Sequence, residues 1–240
     1  MYAVLADIHG NMYALQRVLD DMNQFEIEGV ILLGDLIDYG MQSNEVVNYL
    51  NYDFNYKIIC NIWGNHERAI IFDDYKGFSS QRGVECAKYT ASILEEKTRD
   101  YLDSRMNRDG KQDFQLYGLN CLAIHGSLQD SFWKSISPED VRGDYQKYDL
   151  VFSGHSHYSH VFKKFYDVED IIRRNKHAVM FINPGSVGQP RNHNPNAQYA
   201  LIDEDFNVQL RSVKYEVDKA MALYDSKVDL FYRDRLEFGV

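Results

Sequence analysis

Seven residues of the chain carry metal-ligand side chains at recurring places. Asp7 and His9 stand in Asp7-Ile8-His9-Gly10-Asn11, Asp35 in Gly34-Asp35-Leu36-Ile37-Asp38-Tyr39-Gly40 and Asn65 in Gly64-Asn65-His66-Glu67. His125 precedes Gly126, and His155 and His157 fall in Gly154-His155-Ser156-His157. Taken singly, Asp7 or Asn65 could cap a helix, Asp35 could brace a turn and His125 could be a satisfied core histidine. Together they are harder to dismiss. Five of the eight histidines, His9, His66, His125, His155 and His157, lie in these clusters, and a hydrophobic core has no reason to gather them beside carboxylates. Mixed oxygen and nitrogen donors suit Mn, Fe, Zn, Co or Ni rather than Ca or an all-oxygen Mg cage. One carboxylate can bridge two ions roughly 3.5–4 Å apart, an arrangement that clamps the attacking and leaving oxygens of a phosphoryl transfer.

Each cluster follows a short apolar run. Tyr2-Ala3-Val4-Leu5-Ala6, Val30-Ile31-Leu32-Leu33 and Lys57-Ile58-Ile59-Cys60 read as buried strands, as do Asn120-Cys121-Leu122-Ala123-Ile124 and the run from Leu150 to Ser153. In α/β sheets the ligand crevice lies beyond the carboxyl ends of the strands, where all five clusters fall. Between the first two strands Leu15, Val18, Leu19 and Met22 recur at helical spacing behind Asn11, an expected N-cap. A second helix is expected over residues 44–50. Residues 72–112 change character: Val84, Ala87, Ala91, Leu94, Tyr101 and Leu102 predict one or two helices lining the crevice. Later strands are expected at residues 161–166, 178–182, 199–203 and 208–215, some alternating as antiparallel strands do. Asn183-Pro184-Gly185-Ser186-Val187-Gly188-Gln189-Pro190-Arg191 reads as a ligand-facing turn with free backbone N–H groups. A final helix is expected over residues 218–236.

At 240 residues the chain can bury one sizeable core, so a single domain over residues 1–240 is expected. A formal net charge of -10 argues against a duplex-DNA or anionic-membrane partner, since both call for a basic face. An anionic substrate then needs local positive charge such as metal ions. Cys60, Cys86 and Cys121 form no Cys-x-x-Cys pair and fit a reduced cytoplasmic protein in which they pack. Neither an export signal nor an apolar stretch long enough to cross a bilayer is visible.

The ordered set Asp-x-His, Gly-Asp, Gly-Asn-His-Glu, His-Gly and Gly-His-x-His, from Asp7 to His157, resembles the calcineurin-like metallophosphoesterase superfamily. That resemblance implies a four-layer α/β/β/α sandwich of two mixed sheets with helices outside, in keeping with early strand-helix alternation and a strand-rich later half. It implies that Asp7, His9 and His157 hold one metal ion, that Asn65, His125 and His155 hold a second, and that Asp35 bridges the two. The ions would be divalent or trivalent Mn, Fe, Zn, Ni or Co. His66 would contact the phosphate and protonate the leaving group while a metal-bridging hydroxide attacks phosphorus directly.

Departures from the pattern point to a branch. The protein serine/threonine phosphatases and symmetrical diadenosine tetraphosphatases of the superfamily carry Gly-Asp-x-Val-Asp-Arg-Gly, and here Tyr39 replaces the arginine. The chain is instead similar to the small bacterial and archaeal phosphodiesterases, with Asn183 to Arg191 matching their late loop, so Arg191 is expected to supply substrate contacts. A small phosphorylated substrate is the leading expectation. Nucleoside polyphosphates or phosphoproteins are an alternative, and a catalytically silent protein-binding scaffold like the retromer subunit of this fold is a third.

Overall fold

A computed structural model describes residues 1–240. In chain order its elements are β1 (Tyr2–Leu5), α1 (Met12–Met22), β2 (Gly29–Leu32), α2 (Ser43–Tyr52), β3 (Ile58–Asn61), α3 (Asn65–Phe72), α4 (Gln81–Ile93), α5 (Glu96–Ser104), β4 (Lys111–Leu116), β5 (Leu119–Ile124) and β6 (Leu150–Ser153). There follow β7 (His160–Asp167), β8 (Lys176–Asn183), β9 (Ala197–Ile202), β10 (Val208–Val213), α6 (Val217–Met221) and α7 (Leu230–Phe238).

The strands form two five-stranded sheets, ordered β10-β9-β1-β2-β3 and β4-β5-β6-β8-β7. In the first, β1, β2 and β3 run parallel while β9 is antiparallel to β1 and β10. In the second, β5, β6 and β8 run parallel between antiparallel β4 and β7. Both sheets are therefore mixed, as expected. Alternation along the strands builds two faces per sheet. Val4, Ile31, Cys60, Cys121, Ala123 and Phe152 pack between the sheets. Ala3, Leu5, Val30 and Leu32 point the other way, onto Leu15, Val18 and Met22 of α1 and onto Val46, Val47 and Leu50 of α2. The Asn11 side chain caps α1 by accepting from Ala14 N at 3.1 Å, as its position predicts.

The α/β architecture of two facing mixed sheets stands, with helices over the outer face of the first sheet. The outer face of the second sheet is covered not by helix but by the irregular segment 126–149, whose Ile136, Tyr145 and Tyr148 bury against Leu122, Val151, Val179 and Phe181. Short polar side chains there capture backbone N–H groups: Asp130 Oδ1 accepts from Phe132 and Trp133, and Ser137 Oγ accepts from Asp140. Such local bonds offer the backbone an alternative to the helical ladder.

Two other expectations are corrected. Residues 72–112 contain α4 and α5 but end in β4, where Lys111-Gln112-Asp113-Phe114 has too few apolar residues to show a buried strand; it is a half-exposed edge strand paired with β5. The C-terminal helix is two short helices, because Asp229 opens a new one by accepting from Phe231 N at 2.9 Å and Val228 turns into the core. No helix is long and apolar enough to cross a membrane.

Candidate functional site

The parallel strands β1, β2, β3, β5 and β6 bring their carboxyl ends to one crevice, and there the backbone leaves its ordinary conformations. Asp7, His9, Asp35, His155 and His157 have φ of 55°, 47°, 52°, 64° and 61°, the left-handed region that non-glycine residues rarely occupy. Each such residue costs on the order of 1 kcal/mol and persists only where its surroundings fix it. The fixing bonds are present: Asp7 N donates to Gly34 O at 3.1 Å, His9 N to Asp35 O at 2.9 Å and Gly188 N to Asp7 O at 3.0 Å. Glu67, fully buried on α3, accepts from Gly64 N, Asp35 N and Leu36 N at 2.8, 2.9 and 2.7 Å. It ties the β2 and β3 loops together. Gly64 has to be glycine there, since a Cβ would lie 2.0 Å from Asp35 Oδ1.

Two donor groups result, Asp7, His9, Asp35 and His157 in one and Asp35, His125 and His155 in the other, with the donor atoms of each within 4.8 Å of one another. Asp35 belongs to both. Its Oδ2 lies 3.7 Å from His9 Nε2 and 3.3 Å from His125 Nε2. Asn65 joins the second group, its Oδ1 being 3.0 Å from His125 Nε2 and 2.9 Å from His155 Nδ1. The far nitrogens of three rings are spoken for: His9, His125 and His157 face the carbonyls of Ile37, Leu33 and Gln189 through Nδ1 at 3.1, 2.7 and 2.5 Å. With the ring proton on Nδ1, each Nε2 presents a lone pair inward.

These donors fit a cation. His9 Nε2 and His157 Nε2 stand 3.2 Å apart with lone pairs opposed. Asp7 Oδ1 is buried with no hydrogen-bond partner, because His157 Nε2, 3.4 Å away, has no proton to give. Titration in the cluster tells the same story. Burial, and then the Asp35 carboxylate, lift the Asp7 pKa to about 8, and burial holds His9 and His155 down to about 3. Burial also disfavours a charged His125, but Asp35 outweighs it and takes the pKa up to about 9, so without a cation a proton sits on the nitrogen that a metal ion would claim. A metal ion is the positive charge that buried carboxylates and facing imidazoles of this kind accommodate.

His66 stands apart from both groups. Its backbone N donates to Asp35 Oδ1 at 3.0 Å, while its Nδ1 lies 2.6 Å from Asp38 Oδ2 and its Nε2 3.9 Å from Asp35 Oδ2. Burial opposes charge on this ring, but Asp35 and the Asp38 hydrogen bond prevail and raise its pKa. The other Asp38 oxygen accepts from Thr90 Oγ1 at 2.7 Å and from Cys86 Sγ at 3.2 Å, both on α4. Asp38 stands in the Gly34 to Gly40 motif three residues after Asp35, and that spacing was the available sign of its importance. No sequence signal marked Thr90 or Cys86 as its companions.

The crevice above the cluster has a volume of about 250 Å3. Asp35, Asn65, His66, His155 and His157 line it together with Tyr39 and Arg191. Arg191 lies 5.9 Å from the centroid of the Tyr39 ring, has no carboxylate partner, and leaves its buried Nε unbonded. Tyr39 itself stacks at 4.5 Å on Tyr232 of α7, so the residue in the arginine's place is a packed ring. Gly77, Phe78, Ser79 and Trp133 complete the lining, none of them singled out by the sequence reading. The Asn183 to Arg191 loop differs from expectation in one respect, since several of its N–H groups are already bonded. Val187 N donates to Ala6 O, Gly188 N to Asp7 O, and Gln189 N to Ser186 Oγ. The loop braces the turns that carry the donor groups, leaving the arginine at its end to face the crevice.

A model of the calcineurin-like phosphoesterase superfamily domain matches residues 1–206. An uncharacterised protein of Methanocaldococcus jannaschii, MJ0912, is 30% identical over 230 residues, covering 92% of this chain and 90% of its own. Among solved structures, a metallophosphoesterase from Sphaerobacter thermophilus aligns with a TM-score of 0.74 at 24% identity, over 100% of this chain and 98% of that one. The hypothetical protein PH1004 from Pyrococcus horikoshii aligns with a TM-score of 0.77 at 21% identity, over 100% and 99% of the respective chains.

Proposed function

The chain belongs to the calcineurin-like phosphoesterase superfamily, and from that premise we propose that it hydrolyses small phosphodiesters at a centre of two transition-metal ions. The observation that carries this reading is the position of Asp35, the one carboxylate common to both donor groups. Asp7, His9 and His157 would hold one ion, and Asn65, His125 and His155 the other. The nitrogen-rich mixed donor set suits Mn, Fe, Zn, Ni or Co. When bound, two such ions lower the pKa of the attacking water and neutralise charge on the phosphoryl oxygens.

The chain's own residues do the rest. Arg191, with a guanidinium free of carboxylates, contacts a phosphate oxygen. Asn65 orients the phosphate beside the second donor group. His66 holds a proton on Nε2 because Asp38 accepts from its Nδ1–H and favours the charged ring, and it delivers that proton to the departing oxygen. A crevice of about 250 Å3 suits a small ester better than a folded phosphoprotein loop. The test is a titration of metal-free protein with Mn, Zn or Co against bis-p-nitrophenyl phosphate. Activity is expected to rise to a plateau at about two equivalents, and Asp35→Asn is expected to bind less metal and to lose more rate than Asp7→Asn. Full wild-type rate from Asp35→Asn with both metals retained would overturn the two-ion reading.

A further inference from the structure

We propose that Phe78 and Trp133 form an aromatic seat for a planar ring in the leaving group, which makes the substrate a nucleoside-type phosphate ester. This rests on the phosphoesterase reading and adds the class of alcohol released. The two rings come from opposite parts of the sandwich: Phe78 from the turn between α3 and α4, Trp133 from the loop that begins at His125. They meet with centroids 5.2 Å apart in an edge-to-face pair. Phe78 lies 5.1 Å from the His66 ring, and Trp133 lies 6.4 Å from the His155 ring. The pair thus spans from the proton donor to the second donor group, where the leaving oxygen departs.

The pair is held in place by specific local structure. Trp133 N and Phe132 N donate to Asp130 Oδ1 at 3.1 and 3.0 Å, fixing the turn that presents the indole. The indole lies flush on Gly77, where a Cβ would come within 2.1 Å of Trp133 Cε2. Neither aromatic ring is fully buried, so both still present apolar surface to the crevice. Elsewhere the lining is charged or polar apart from Tyr39, whose ring is already stacked on Tyr232, and Arg191 and the candidate ligand residues are on hand for the phosphate. A charged phosphate has no use for two aromatic rings, whereas a nucleobase stacks on such faces whatever its hydrogen-bonding edge. The small volume leaves room for one ring system beside the phosphate.

The test compares two alkyl phosphodiesters that differ only in the base, adenosine 5′-(methyl phosphate) and methyl riboside 5-(methyl phosphate), with bound metal quantified in every sample. Wild type is expected to prefer the nucleoside ester. Trp133→Ala and Phe78→Ala should lower its kcat/KM about ten- to a hundredfold, the worth of one stacked base. The base-free ester should change by less than about twofold, and metal content should not change. Trp133→Phe, which keeps a ring, should restore most of the rate. A second readout is independent of turnover. Trp63 is fully buried with its Nε1 bonded to Leu102 O, so adenosine 5′-monophosphate should quench only Trp133 fluorescence, and Trp133→Phe should abolish the quench. Equal losses on the two esters, or a quench that survives in Trp133→Phe, would overturn the seat. If metal-loaded wild type cleaved neither ester, the phosphoesterase reading would fall, and the fluorescence titration would still decide the seat.

Discussion

At the scale of single residues, the site depends on side chains that hold others as much as on those that would touch substrate. His66→Ala should keep its metals and lose roughly a hundred- to ten-thousandfold in kcat, the usual contribution of a general acid. The loss should be larger on alkyl esters than on p-nitrophenyl esters, because a nitrophenolate departs without protonation. Equal losses on both would leave His66 only a phosphate contact. Asp38→Asn should lose about ten- to a hundredfold with the same leaving-group bias, since the 2.6 Å bond from Nδ1 no longer ends on a charge. Glu67 supports the geometry from behind. Its two carboxylate oxygens serve the N–H groups of Gly64, Asp35 and Leu36. In Glu67→Gln one oxygen becomes an NH2, which faces donors instead of accepting from them, and stranding a buried donor costs roughly 1–3 kcal/mol. Urea denaturation should show that loss, and elemental analysis a weaker hold on metal; an unchanged midpoint would mean that the β2 and β3 loops stand without it.

At the scale of elements, the parallel strands deliver the candidate ligands, but the turns after them carry the strain, and a loop from elsewhere holds those turns. The segment Asn183 to Arg191 follows β8, yet its bonds reach the ends of β1 and β6. Ser186 Oγ donates to Asp7 O at 2.7 Å, and Asn183 Nδ2 donates to Gly154 O at 2.9 Å and to Ser156 Oγ at 3.1 Å. Asn183→Ala removes the last two bonds inside a fully buried site. A stability loss of roughly 1–3 kcal/mol is expected, together with weaker retention of metal, because His155 and His157 sit in the turn it fastens. Stability lost with metal retained would show that the turn keeps its form without the brace.

At the scale of the whole molecule, the two sheets close on a core that includes Cys60 and Cys121. Burial pushes both thiols up to about 12, and Cys86, also raised by burial, points at Asp38. At pH 8 all three should therefore remain neutral thiols, shielded from solvent. Ellman's reagent should find no reactive thiol in the native protein and three after unfolding in urea; rapid native labelling would mean that the sandwich opens far more readily than its packing implies.

The sequence alone determined what depends on local order. Apolar runs ending at Asp7, Asp35, Asn65, His125 and His155 set strand ends and ligand types together, because a parallel strand buried on both faces and the polar turn after it are contiguous in the chain. It also yielded two mixed sheets with helices packed on the first. Tertiary structure alone decided the rest. The irregular cover of the second sheet and the edge strand β4 were hidden, since neither has a periodic apolar pattern. So were the pairing of His66 with Asp38, the reach of Glu67 to the β2 loop, and the meeting of Phe78 with Trp133. Those contacts join residues 28 to 55 positions apart in sequence, and a side chain's partner at that separation is chosen by how the strands order and the loops close, which no local spacing encodes.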